Sequence, residues 1–405
     1  MSRGRQQPHD SRAARLWPLL AVNFFMADMQ SGIGPFLGVF LIERGWSSGL
    51  IGTAMSIGNV AGMLITTPIG GFIDSSHHKR AWVIVPGIAV VLASSVILVS
   101  QNFWAVATSQ IATSIAGAAI VPAVTGITLG MVGQRGFNRQ NGRNQAFNHT
   151  GNMIGAAASG LLGWQLGYFS VFALSALFGA ITVACVLAIR PDSINDHAAR
   201  GNKEDDPDSQ PGALTVLLKH KALLVLGLAL ALFHLGNAAI MPFFGMSAVA
   251  GGKANGPGFV ATTIVIAQGV MVIASIVAMR VAEKRNYWLL LLISFLVLPL
   301  RGVIASLLDG WWGVVPVEIL DGIGTGLQSV AVPGMVTRSL YGTGRVNLAQ
   351  GAVITVQGVG AAFSPALGGW IAHGIGYGPT FLVLGSFGLL ATAVWVVLGA
   401  AVKDY

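Results

Sequence analysis

Residues 70–80 read Gly70-Gly71-Phe72-Ile73-Asp74-Ser75-Ser76-His77-His78-Lys79-Arg80, a short polar and basic stretch between two apolar runs, 49–73 and 81–100. A hydrocarbon core about 30 Å thick takes about 20 apolar residues per helical crossing. Each run is therefore long enough to span, and the stretch between them is a hairpin at one membrane face. The alternation continues in both directions, with further apolar, glycine-rich runs at 17–41, 103–132, 145–166, 168–189, 221–247, 258–281, 287–308, 311–337, 347–372 and 378–400. Twelve such runs nearly fill the 405 residues, of which 54% are apolar and 9% charged. A soluble domain carries about 25% charged residues, so lipid is the main solvent of this chain. Strand-like alternation is absent, and an open sheet in lipid would leave backbone groups unpaired, so the fold class expected is all-α integral membrane.

The net charge of +8 comes from Lys and Arg dispersed over short loops rather than gathered on a face, which argues against a nucleic-acid partner. Their distribution orients the chain. With the N-terminus inside, twenty Lys and Arg fall on the cytoplasmic side, among them Arg3, Arg5, Arg12, Arg15, Lys79, Arg80, Arg135, Arg139 and Arg143. Only Arg44 and Lys253 fall on the other, and Arg301 lies within a run. Both termini are expected in the cytoplasm of a multi-pass protein of the plasma or inner membrane. The single cysteine, Cys185, sits in an apolar run, so there is no disulfide framework; no His, Cys or carboxylate cluster has metal-ligand spacing, and no metal or cofactor is expected.

The one long polar stretch divides the runs six and six. The expected units are a tail at 1–16, a first bundle at 17–189, a cytoplasmic linker at 190–218 with the acidic run Glu204, Asp205, Asp206, a second bundle at 219–400, and a tail at 401–405. Residues 214–218 read as a stretch lying along the membrane surface. An internal repeat supports the division. Pro35-Phe36-Leu37-Gly38 recurs as Pro242-Phe243-Phe244-Gly245, Gly142-Arg143 as Gly344-Arg345, and Gly155 to Gly163 as Gly360 to Gly368, in the same order in each half.

The 70–80 stretch resembles the signature loop of the major facilitator superfamily, a Gly followed by Asp four residues on and then a basic pair, joining spans 2 and 3. The resemblance implies a transporter of two six-helix halves, working as a monomer, in which Gly70, Asp74, Lys79 and Arg80 form a conformational latch; a solvated hairpin is the plainer alternative. His77 stands where the family usually has Gly, and the second-half counterpart at Ala282, Glu283, Lys284 and Arg285 is degenerate. Spans 5 and 11 are similar to the family's Gly-x-x-x-Gly-Pro-x-x-Gly motif at Gly155, Ser159, Gly160, Gly163 and at Gly360, Ser364, Pro365, Gly368, Gly369. Small residues at that spacing let helix backbones approach closely. The family associates the span-5 copy with antiporters, although here Gly160 replaces its proline. Gln110 falls near where span 4 of the family usually has arginine.

Ionisable residues inside a bilayer are expensive and so mark cavities or partners. Asp28 lies near the middle of the first run with no Lys or Arg in the other first-half runs, which suits it to load and release a proton; a structural hydrogen bond is the alternative. His234 is at matching depth in span 7, and the repeat sets Gln30 opposite Asn237. Phe24, Phe25, Gln30, Gln110, His149, Asn152, Phe233, Asn237 and Gln357 are the candidate lining of a solute cavity. Arg301 and Glu318 are equidistant from the turn at Asp309 and Gly310, so antiparallel helices bring them to one depth as a structural ion pair. Asp321 is then expected to have no partner and to be the second-half carboxylate for proton coupling. Met26, Met29, Met241 and Met246 flank these positions, either as packing or, with His234, as a soft-metal environment.

The function expected is proton-coupled export of a small neutral or cationic organic solute by alternating access. The alternatives are a proton-coupled importer of a nutrient, chelate or metal complex, and a non-transporting membrane sensor or partner protein. No nucleophile and base stand at a recognisable spacing, so an enzyme is not expected.

Overall fold

The computed structural model describes residues 9–31, 33–195, 220–282, 287–339 and 346–399. Within the helices, the side chains of residues 9–15, 28, 30, 31, 67, 74, 134, 135, 138 and 346–348 lie outside the described set. That set therefore leaves out the side chains of Asp28, Gln30 and Asp74, the acidic run at 204–206, the 214–218 stretch and residues 283–286.

The chain is all-helical among the described residues. Helices α1 (His9–Ser31), α2 (Gly34–Ile42), α3 (Ser48–Ser75), α4 (Ala81–Val99), α5 (Phe103–Leu166) and α6 (Tyr168–Ala188) form the first half. Helices α7 (Lys221–Asn237), α8 (Ile240–Ala250), α9 (Gly256–Ala282), α10 (Tyr287–Leu307), α11 (Trp311–Ser339), α12 (Val346–Ile375) and α13 (Tyr377–Val397) form the second. Nine described segments are long and apolar enough to cross a membrane. Many apolar side chains face outward, among them Val99, Trp104, Phe169 and Trp312, as lipid-facing helices require.

Run 221–247 is one membrane-length segment, Lys221–Ala250, with a kink where α7 gives way to α8: Ala238 and Ala239 keep right-handed helical torsions, and Pro242 in the first turn of α8 has no N–H to offer the preceding turn. Pro35 likewise sits in the first turn of α2. One expectation is corrected. The basic stretch 133–144, expected as a loop, is helical within α5, which breaks only at Gly133 (φ 65°, ψ 175°). An amide ladder holds it in place. Gln140 Nε2 donates to Asn144 Oδ1 at 2.9 Å, and Asn144 Nδ2 donates to Thr128 Oγ1 on the preceding limb at 2.9 Å, all three residues being buried.

The halves meet through α3 with α12, α5 with α9, and α2 with α8 and α9. Every one of these seams lies toward the same end of the molecule. Contact between α3 and α12 runs from Ser48 and Gly369 to Met63 and Gly358. Farther along the same helices, a Cβ built at Gly70, Gly71 or Gly351 would meet nothing within 4 Å. The closed end is dense. Trp370 Nε1 donates to Thr53 Oγ1 at 3.0 Å, Ala366 N donates to Ser56 Oγ at 2.8 Å, and Tyr168 Oη donates to Glu43 Oε1 at 2.8 Å beside Gly256. The described contacts between the halves are thus concentrated toward the end where Arg44 and Lys253 lie.

Candidate functional site

The proline kink between α7 and α8 frees a backbone donor inside the membrane, and a freed group there needs a partner. Ala239 N finds one in Ser364 Oγ of α12 at 3.0 Å, with Ser364 fully buried. Replacing Ser364 with alanine strands that N–H, and a buried unsatisfied donor costs about 1–3 kcal/mol. A lowered midpoint of thermal unfolding in detergent is the expected result; an unchanged midpoint would exclude Ser364 as the cap of the kink.

Asn237, the last residue of α7, lies against Arg301 of α10, and around Arg301 the expected pair becomes a cluster. Arg301 Nη1 donates to Asp321 Oδ1 at 2.6 Å and to Asn237 Oδ1 at 2.8 Å, Nε donates to Val317 O at 3.2 Å, and Nη2 lies 3.4 Å from Glu318 Oε2. Asn237 Nδ2 also donates to Asp321 Oδ1 at 3.1 Å. The expectation that Asp321 lacks a partner is therefore corrected, because Glu318 and Asp321 are three residues apart on α11, share one face, and a two-pronged guanidinium reaches both. Arg301 and Glu318 are buried at 1% and 0% side-chain exposure, and Asp321 retains 14%. Glu318 Oε1 is buried without a hydrogen-bond partner.

A second polar chain starts one turn earlier on α7. His234 Nε2 lies 3.2 Å from Gln328 Oε1, within hydrogen-bond distance. Gln328 Nε2 donates to Ser294 Oγ at 2.8 Å, and Ser294 Oγ donates to Gly324 O at 2.9 Å. Phe233, buried at 2%, packs on Phe295 and meets the His234 ring edge-on.

In the first half Phe24 and Phe25 form an edge-to-face pair that continues to Phe178. The Phe24 backbone lies against Gly151 so closely that a Cβ there would sit 2.0 Å from Phe24 O. His149, two residues before Gly151, bridges the halves, with Nδ1 3.0 Å from Gln268 Oε1 of α9. Asn152 and Gln357 are half-buried, and Gln110 is half-buried with its Cβ and carbonyl pressed on Gly58 of α3. Gln268, Gln328 and Ser294 carry no positional signal in the sequence, being uncharged polar residues in Gly/Ala-rich helices, whereas Ser364, part of the span-11 packing motif, also serves as a backbone cap.

The small-residue motifs lie at close approaches. A Cβ at Gly160 or Gly163 would run into Ala261 or Pro257 of α9, at Gly360 into Ala231 O of α7, at Gly368 into Ala239, and at Gly369 into Ser48 O of α3; Pro365 O presses on Gly52. Gly155 and Ser159 are buried in α5. In the 70–80 loop, Lys79 is buried at 2% and donates to Ile73 O at 2.8 Å, while Arg80 caps the end of α6 through Val186 O at 3.2 Å and Leu187 O at 3.0 Å.

The family model described as Major Facilitator Superfamily matches residues 19–347. The chain belongs to this superfamily. Two MFS-type transporters of Mycobacterium tuberculosis, one from strain CDC 1551 / Oshkosh and one from strain H37Rv, are 36% identical to it over 378 residues, 93% of this chain and 90% of theirs. Among solved structures, a mutant of the nucleoside transporter NupG is similar at a TM-score of 0.81 with 13% identity, covering 94% of this chain and 99% of that one. A bacterial homolog of the human lysosomal transporter Spinster, inward-facing and unoccupied, is similar at 0.73 with 13% identity, covering 98% of each chain. Identities this low carry fold alone. As a member of the superfamily the chain is a multi-pass membrane transporter and not an enzyme.

Proposed function

We propose that this facilitator is a twelve-span, proton-coupled secondary transporter that exports a small neutral or cationic organic solute by alternating access. The observation that carries this is the cluster of Arg301, Glu318, Asp321 and Asn237 buried within the second half beside the proline kink of α7 and α8. Ionisable residues inside membrane segments mark a solute or ion path. The seam geometry supports a cycle of the two halves. With both termini cytoplasmic, as the distribution of Lys and Arg favours, the closed end is external and this is the inward-facing state. The 70–80 loop then acts as a latch of the first half, with Lys79 and Arg80 fastening α3 and α4 to the end of α6. The fold likeness to a nucleoside transporter assigns no solute.

Asp28 is the first-half proton carrier on this reading. In proteoliposomes with an imposed pH gradient, solute-dependent proton flux is expected across a panel of neutral and cationic organic compounds, and Asp28→Asn is expected to reduce it at least about ten-fold, the penalty for removing the titrating group. The direction of flux separates export from import. Undiminished flux in Asp28→Asn removes Asp28 from the mechanism, and no flux with any compound removes the proton-coupled reading itself.

A further inference from the structure

Helices α5 and α9 face each other across the two halves and run antiparallel, with Gly163 against Pro257, Gly160 against Ala261 and His149 against Gln268. Beside this seam Ala157 and Leu161 of α5 and Thr262 of α9 line a cavity of about 490 Å³, together with the exposed Trp164 and, from α11, Trp311. Both helices continue unbroken from here toward the opposite membrane face, since the one non-helical residue of α5 is Gly133 and α9 is regular from Gly256 to Ala282. Five helical turns at 3.6 residues each, 18 residues in all, separate Ala157 from Arg139, Leu161 from Arg143 and Thr262 from Arg280. The three arginines therefore stand on the same two walls as the cavity-lining residues, at the other end of one groove.

Depth and charge say what the groove holds there. The helical rise is about 31 Å from Trp164 to Arg143 and about 33 Å from Gly258 to Arg280, close to the roughly 30 Å of a hydrocarbon core. The tryptophans thus mark one headgroup level and the arginines the other. Between these levels the walls expose Phe147 and Ile154 on α5 and Ile273 and Ile276 on α9 to acyl chains. Arg139, Arg143 and Arg280 are exposed and make no hydrogen bond or ion pair among the described residues. Neither helix contains an Asp or Glu. Three cations at one headgroup level, above two apolar walls and without a carboxylate on either helix, take their counter-charge from an anion of the membrane itself.

We propose that the α5–α9 groove binds an anionic phospholipid, with its phosphate held by Arg139 and Arg143 of the first half and Arg280 of the second, and its acyl chains lying along Phe147, Ile154, Ile273 and Ile276. Each guanidinium presents a planar fork to phosphate oxygens. A headgroup that leaves the phosphate charge uncompensated, as glycerol does, satisfies the arginines, whereas a choline headgroup brings its own cation and does not. Because the phosphate ligands come from both halves, the lipid bridges the seam away from the end where the described contacts between the halves concentrate. On the orientation proposed above, this is the cytoplasmic leaflet. The site goes beyond the transport reading, since neither solute nor proton takes part in it.

Purified protein in dodecyl maltoside is titrated with phosphatidylglycerol or phosphatidylcholine, and the retained lipid is followed by native mass spectrometry. Wild type is expected to hold one phosphatidylglycerol at least about ten-fold more tightly than phosphatidylcholine, from about five-fold per arginine, with the preference falling as salt is raised. Arg139→Gln/Arg143→Gln/Arg280→Gln is expected to lose the preference while unfolding at the wild-type temperature in phosphatidylcholine micelles, since all three side chains are exposed. Arg190→Gln, an exposed arginine after α6 and outside the groove, is expected to keep it. Equal retention of the two lipids by wild type overturns the proposal without recourse to any variant. An equal loss in Arg190→Gln overturns it in favour of diffuse surface charge, and displacement by millimolar glycerol phosphate in favour of a soluble anion. Phosphatidylglycerol binding that appears only in Glu204→Gln/Asp205→Asn/Asp206→Asn overturns it in favour of the acidic linker run as the arginines' partner.

Discussion

Arg301→Met is expected to be the most damaging single substitution in the second half. The side chain makes contacts to Asp321, Asn237, Glu318 and Val317 O from a position with 1% exposure. Methionine is of similar length and fills the space, so the loss is electrostatic. Removing one partner of a buried ion pair costs about 3–5 kcal/mol because the other is left uncompensated, and here two carboxylates are left. Detergent-purified Arg301→Met should unfold at a markedly lower temperature than wild type and show no transport above background. Adding Glu318→Gln should recover much of the stability, since it removes the carboxylate with no solvent exposure, and should not recover transport. Arg301→Met unfolding at the wild-type temperature would mean that Arg301 does not hold the two carboxylates as its distances describe.

How far the sequence led to this cluster is instructive. The equal separation of Arg301 and Glu318 from the Asp309–Gly310 turn was enough to bring them together, because antiparallel helices convert sequence distance into depth. It was not enough to place Asp321, since which of two carboxylates on one helix face receives the guanidinium depends on the rotation of α11 against α10. The helices themselves were legible from apolar run length alone. The local geometry at Pro35 and Pro242 is less so, since a proline within an apolar run reads equally as a kink, a packing motif or a new first turn. The polar helix after Gly133 reads as a loop in the sequence, because composition does not reveal that Gln140, Asn144 and Thr128 satisfy one another. Gln268, and the capping role of the motif residue Ser364, are not legible, because burial and partner are properties of the assembled fold. Asp28 still stands on its sequence position.

Gly52→Val is expected to have the largest effect on the conformational equilibrium. A Cβ at Gly52 would lie 2.0 Å from Pro365 O and 3.1 Å from Gly369 Cα, both backbone atoms, so no rotamer change relieves it. The α3–α12 seam must separate. With it go the hydrogen bonds from Ala366 N to Ser56 and from Trp370 to Thr53, which are made by the same faces. Overpacking of a tight contact costs about 1–3 kcal/mol, but only in the state that closes this seam. In the opposite state, where an alternating-access protein parts the halves here, valine is accommodated. The penalty therefore becomes a population shift of about 5- to 150-fold away from the structure described. A cysteine reporter at Ser48, which is buried at 6% exposure in the seam, measures it in a background with Cys185 replaced. Labelling of Ser48→Cys by a hydrophilic maleimide should rise steeply in Gly52→Val. It should stay at the parent level in Gly351→Ala, on the part of α12 where a Cβ meets nothing within 4 Å. Equal labelling in all three would show that α3 and α12 do not separate at Gly52 during the cycle, and the rocking of the halves about that seam would have to be abandoned.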